Sequence, residues 1–374
     1  MLTRRLPLLD SALLAAALLA AGCASSEIAR NLDAGDVARE LRNRGLEPSG
    51  VVIPYEITEE MRAWAHRLVP QETAPEKRLE TLLAGLVDPD KLKVVYEPRH
   101  TATAQEVFET RRANCLAFTS LFVGMAREIG VPAYFLDVDD VERFEKEGDL
   151  VVVSGHVSAG YGTGSEIKIL DFSAAPEPGY RHVRRISDLT AIALFHSNRG
   201  GELLRAGKQD EALPWLLKAV TIDPELPGAW INYGVALRRS GDLTRAEEAY
   251  RKALEIDPLA VSAYQNLAAL LRHQGKQQEA EDLLALSGTL GSRNPYIYLS
   301  LGDLSLAHGR IDEARRFYKR AMRLYRDNAE PYAAMGIAAL ASGDAGEAHR
   351  WMRKAIAIDQ ENQRVKVLVA RLGG

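Results

Sequence analysis

The feature that most restricts how this chain can fold is a 34-residue period that begins at Ala193 and runs through residues 193–226, 227–260, 261–294, 295–328 and 329–362. Gly207, Gly241, Gly275, Gly309 and Gly343 share one column, and Ala212, Ala246, Ala280, Ala314 and Ala348 share another. A further small-residue column holds Ala219, Ala253, Ala321 and Ala355, with Ser287 standing in the third unit. Small residues are needed where two helices approach closely, and a recurrent glycine suits the end of the first helix of a pair. Trp230, Tyr264, Tyr298 and Tyr332 recur early in that first helix, and Pro224 and Pro258 break the chain between units. A helical pair of this length cannot bury its apolar face alone, so the units are expected to stack into one continuous core, closed by a partial capping helix near residues 364–372.

These columns resemble those of tetratricopeptide repeats. The resemblance implies a right-handed all-α solenoid with a concave face that takes a protein or peptide partner. At the sixth position of the repeat the chain has Asn198, Asn232 and Asn266, followed by Ser300 and Ala334. An amide donates and accepts at once, which suits an extended peptide backbone. Arg205, Arg238, Arg239, Arg272 and His273 fall at the groove side of the first helices. An acidic or C-terminal peptide segment is therefore the expected ligand, with Asn198, Asn232, Asn266, Arg238 and Arg272 as its contacts. The competing reading is that asparagine belongs to this repeat position regardless of ligand and that the arginines form a solvated edge.

The chain is 374 residues long, 47% hydrophobic and 26% charged, which leaves room for two or three globular domains. A formal net charge of -4 spread over that length carries no polyanion-binding signature, so nucleic acid is not an expected partner. Residues 1–23 read as an address: Arg4 and Arg5 precede a short apolar run, Ala12 to Ala21, which closes on Leu19-Ala20-Ala21-Gly22-Cys23. The run is too short to span a bilayer. It looks like a bacterial lipoprotein signal, which implies cleavage before Cys23, acylation of that cysteine and a membrane anchor in which each buried CH₂ contributes about 0.8 kcal/mol. Ala24 stands where an aspartate would imply retention at the inner membrane, so an outer-membrane anchor facing the periplasm is expected. Residues 24–50 read as a tether ending at the Pro48 to Gly50 break.

The segment 51–190 is expected to be a separate domain. Ile57 to Leu68, with Thr58 as N-cap, and Lys77 to Leu86 have helical spacing, and Lys91 to Tyr96 reads as a strand. In RRANCLAFTSLFVGMAREIGVPAYFLDV, residues 111–138, Cys115 opens a run that is apolar on nearly every side and is stopped by Gly130 and Pro132. A helix N-terminus favours a thiolate, since unpaired N–H groups and the helix dipole point at it, so Cys115 is a candidate nucleophile; the bland alternative is a small core residue. Ala133 to Val138 reads as a strand and Asp139 to Gly148 as an acidic, exposed connection. Asp149 to Tyr161 and Glu166 to Ser173 are strand-like runs around Gly162-Thr163-Gly164-Ser165, a hairpin signal. If that turn is centred between Thr163 and Gly164, His156 falls directly opposite Asp171, close enough for a carboxylate to orient an imidazole.

YEPRHTATAQEVFETRRANCLAFTSLFVGMAREIGVPAYFLDV, then GHV, then ILDFS, is similar to the core of the bacterial transglutaminase-like superfamily, a papain-like α+β fold. The resemblance implies Cys115 as nucleophile, His156 as base and acid, and Asp171 as the group that orients the imidazole. Backbone N–H groups near Cys115 would bind the oxyanion, with Asn114 as a candidate further donor. Ala113 stands where relatives often have glycine, and Val157 and Ser158 where many have an aromatic residue. The expected architecture is thus a transglutaminase-like domain over 51–190 followed by a repeat solenoid over 191–374. Two functions fit it: a membrane-anchored thiol enzyme, cysteine peptidase or acyl transferase, whose repeats select the substrate, or a non-catalytic envelope adaptor acting through its repeats. The histidines are scattered and Cys115 has no second cysteine nearby, so no metal site is expected; no Gly-rich phosphate loop joins a strand to a helix, so a cofactor-free site is expected.

Overall fold

The computed structural model describes residues 31–70, 74–147, 150–162, 167–170, 183–290 and 293–373. The signal-like segment with Cys23, and Asp171, lie outside the described residues.

The first half is built around a helix that the sequence leaves no polar face. Helices α1 (Ala34–Asn43), α2 (Glu59–Leu68) and α3 (Pro75–Val87) lead to a two-residue strand β1 (Val95–Tyr96), then α4 (Ala104–Thr110), β2 (Arg112–Ala113) and α5 (Cys115–Glu128). Thr58 caps α2 by accepting the Met61 N–H at 3.3 Å. Strand β1 pairs in parallel with β2, so the expected strand from Lys91 is reduced to its last two residues. Every residue from Leu116 to Ala126 is buried, because α2, α3 and α4 pack around α5 and the sheet closes its remaining side. At Gly124 α5 passes close to the backbone of Tyr55: a Cβ there would stand 2.4 Å from the Tyr55 carbonyl oxygen.

The sheet consists of β3 (Tyr134–Glu147), β4 (Leu150–Tyr161), β5 (Lys168–Leu170) and β6 (Val183–Ile186), in the order β5-β4-β3-β6. All neighbouring pairs in it are antiparallel. Residues 139–147 are strand, not the expected acidic connection. The β3–β4 ladder runs from Tyr134 opposite Gly160 to Glu147 opposite Leu150, with a break in register between Val138 and Arg143. Strand pairing uses backbone groups, which an acidic stretch possesses like any other.

Residues 31–50 are not a free tether. The Asn31 amide donates to the Ala133 carbonyl at 3.1 Å, the Leu32 N–H donates to Asp188 at 2.8 Å, and Val37 and Leu41 are buried with Leu189, Ile192, Ala193 and Ile222. Spaced one helical turn apart, Val37 and Leu41 form an apolar stripe that finds its cover on the repeat half.

The repeats follow as α6 (Asp188–Arg205) with α7 (Gln209–Ile222), α8 (Pro227–Arg239) with α9 (Leu243–Ile256), α10 (Val261–His273) with α11 (Gln277–Thr289), α12 (Pro295–Ala307) with α13 (Ile311–Leu324), and α14 (Ala329–Ala341) with α15 (Ala345–Asp359). Helix α16 (Gln363–Gly373) closes the stack and buries Val365 and Leu368. The column glycines all have positive φ, from 72 to 89°, at the end of each first helix. Helix α6 starts before the period does: Ser187 caps it, and it runs unbroken through residue 190, so the two halves share a helix where a domain boundary was expected. Asp188, 2% exposed, holds Arg127 of α5 by paired hydrogen bonds of 2.8 and 3.0 Å, locking the end of the central helix to the start of the repeats. No helix among the described residues is long and apolar enough to cross a membrane.

Candidate thiol site

Asn114 has extended backbone, and its side-chain oxygen accepts the Ala117 N–H at 2.9 Å, so α5 starts at Cys115. The thiol therefore sits at the first residue of a 14-residue helix, where backbone N–H groups lack intrahelical partners. Cys115 is a free cysteine, only partly shielded from solvent. One turn along α5, Thr119 donates to the Val157 carbonyl at 3.1 Å and clamps β4 to the helix. That bond brings His156, 8% exposed, to the thiol.

Burial alone would push the Cys115 thiol up. The hydrogen bond and charge of His156 act against it, helped by the backbone of Val157 and Leu116, and the balance leaves the thiol below its ordinary value. The imidazole has a second neighbour: His156 Nε2 lies 3.3 Å from the hydroxyl of Ser158, a residue only 1% exposed. A thiol next to an imidazole at a helix N-terminus can form a thiolate–imidazolium pair, attack a carbonyl carbon and return a proton to a leaving group.

The Asn114 side chain is held in place, one Nδ2 hydrogen donated to the Thr101 hydroxyl at 3.0 Å and its Oδ1 accepting the Ala117 N–H. One expectation about this site changes. The β4–β5 register differs by two residues from the one expected: Ala159 faces Leu170, Gly160 faces Ile169 and Tyr161 faces Lys168, where a turn centred between Thr163 and Gly164 would set Ala159 against Lys168. Asp171 follows Leu170 directly and lies outside the described residues, so the expected His156–Asp171 opposition does too. Ser158 was noted only as a departure from an aromatic residue, and Thr101 and the two α6 residues that hold it, Arg199 and Glu202, were not singled out by the sequence. Nothing in their spacing marks them, since each acts through a contact distant in the chain or through a strand face.

The expected peptide ladder is not an open surface. Strand β4 lies against α8 and α10. Every residue from Val261 to Leu271 is buried, Asn266 is fully covered, and Asn232 is 5% exposed with its Nδ2 donating to Ser197 at 3.0 Å. Asn198 and Arg238 are half-buried, and Arg272 remains exposed. Asn232 and Asn266 are therefore covered within the chain, on two helices against which β4 packs. Among the described residues no group of three or more His, Cys, Asp or Glu side chains is arranged to hold a metal ion.

Comparison with known proteins divides the chain in the same way. Residues 62–143 match the model of the transglutaminase-like superfamily. Residues 201–295 match that of the middle TPR-like domain of cilia and flagella-associated protein 70, and residues 305–372 that of the tetratricopeptide repeat. Among solved structures, PilF of Pseudomonas aeruginosa is 24% identical, with 48% of this chain and 81% of that one covered and a TM-score of 0.42. A thermophilic TPR protein of Thermus thermophilus is 21% identical over 48% of this chain and 98% of its own, with a TM-score of 0.41. YrrB, described as a TPR protein with an unusual peptide-binding site, is 18% identical over 47% of this chain and 90% of its own, with a TM-score of 0.35. A search of curated proteins returned no match. The chain thus carries a transglutaminase-like domain followed by a tetratricopeptide-repeat solenoid, in that order.

Proposed function

We propose that this protein is a membrane-anchored thiol enzyme of the transglutaminase-like type, acting on an amide of a protein or peptide that its repeats help to select. The observation that carries the reading is a free thiol at the first residue of α5, with β4 clamped to that helix by the Thr119–Val157 bond beside His156, whose imidazole offsets the burial of the thiol. In the proposed reaction Cys115 Sγ attacks the amide carbonyl carbon, and the carbonyl oxygen takes the charge near the unpaired N–H groups of the first turn. His156 then gives its proton to the leaving amine, the C–N bond breaks and a thioester remains on Cys115. Water resolves the thioester to an acid, or a second amine resolves it to a new amide; in either case His156 removes the attacker's proton. Asp171, next in sequence after β5, is assigned the part of orienting His156. Anchoring is assigned to Cys23, with the repeats and the thiol site facing the periplasm from the outer membrane.

The pH dependence of Cys115 alkylation by iodoacetamide, in a soluble form beginning near Ser25, tests the reading. The wild type is expected to react with an apparent pKa well below about 8.5, and His156→Ala to return it toward that value. A slow, unshifted thiol that reacts only on unfolding would refute the enzyme reading and leave the repeats as an adaptor surface.

A further inference from the structure

Thr101 stands between the nucleophile helix and the first repeat helix, and every polar group it has is in use. Its backbone N–H donates to Glu202 at 2.7 Å and its carbonyl accepts from Arg199 at 3.1 Å, both on α6. Its hydroxyl accepts from Asn114 Nδ2 at 3.0 Å, while the Asn114 N–H reaches the neighbouring His100 carbonyl at 3.3 Å. Arg199 and Glu202 also pair with each other at 3.4 Å. Thr101 is 1% exposed and Asn114 6%, so these bonds are shielded from competing water. Asn114 uses its remaining side-chain atom to cap α5, one residue before Cys115.

We propose that Glu202 and Thr101 are positioning residues for Cys115: the first helix of the repeats sets the cap of the nucleophile helix through Thr101 and Asn114, so the thiol site is complete only with the repeat solenoid attached. The inference rests on the thiol-enzyme reading and adds to it that the repeats shape the site as well as recruit to it. None of these residues touches a substrate. Their effect is to fix where the first-turn N–H groups of α5 point, and those groups stabilise a thiolate only when aimed at it.

The test follows alkylation of Cys115 across pH, together with Tm, in the same soluble form. Thr101→Val keeps the shape of the side chain and both backbone bonds to α6 and removes only the hydroxyl that Asn114 uses. It is expected to raise the apparent pKa and slow alkylation at pH 7 by roughly threefold or more. Glu202→Ala is expected to do the same, and Glu202→Gln, which keeps an acceptor for the Thr101 N–H, to restore the wild-type profile. If Glu202→Ala does not fold, Thr101→Val decides alone. A wild-type thiol with a shifted pKa that neither variant moves, even with a lowered Tm, overturns this inference and leaves the enzyme reading standing. An unshifted wild-type thiol overturns both.

Discussion

His196 gives the molecule a defined weakness to acid. It is fully buried on α6, with Nε2 3.1 Å from the Val52 carbonyl and its ring 5.0 Å from that of Trp215. Nδ1 has no hydrogen-bond partner among the described residues. Burial lowers the imidazole pKa, the Val52 carbonyl pulls it part of the way back, the charge of Lys218 lowers it again, and the result is pushed down to about 4. The folded protein therefore holds His196 neutral, while the unfolded chain takes up a proton near pH 6.5. Stability from this group is full above that pH and is lost as pH falls from there toward about 4. At about 1.4 kcal/mol per pH unit the whole interval is worth about 3 kcal/mol, of which about 2.5 kcal/mol is gone by roughly pH 4.5. Urea unfolding followed by tryptophan fluorescence at about pH 7.5 and 4.5 measures this directly when the wild type is compared with His196→Phe, which keeps a ring against Trp215 but cannot be protonated. The variant should lose about 2 to 3 kcal/mol less than the wild type across that range. Parallel losses in the two proteins would show that His196 does not carry the acid sensitivity.

Two other substitutions probe how the central helix is held. Arg127→Ala leaves Asp188 buried without its cation and should cost about 3 to 5 kcal/mol in urea unfolding, whereas removing both partners should cost less than the sum of the single changes. Gly124→Ala places a methyl against the Tyr55 carbonyl, a backbone atom that cannot rotate away, and should lower stability by about 1 to 3 kcal/mol; an unchanged Tm would mean that α5 can shift from that backbone freely.

What the sequence revealed and what it hid divide along physical lines. The solenoid was legible because its signal is local and repeated: the glycine column fell at positive φ in every unit, and each pair of helices after the first lies within its own period. Cys115 at a helix start was legible for a similar reason, since Asn114 and the apolar run after it are neighbours in the chain. The strand through residues 139–147 was not, because its acidic residues resemble a loop and its pairing depends on β4. The docking of Val37 and Leu41, the continuation of α6 through residue 190 and the bonds from Arg199 and Glu202 to Thr101 all join residues far apart in sequence. The groove followed the same rule: periodicity aligned Asn232 and Asn266 and could not report that both are buried or that β4 packs against their helices.

That covering strand bears on how the protein can be taken apart. A cut near residue 190 would sever α6 and also strip β4 from α8 and α10, uncovering helix surface that the intact chain keeps shut. Bait made from the repeats alone would then capture whatever replaces the missing strand, and its catch would be a record of the dissection. Only partners that bind the undivided chain speak for its natural company.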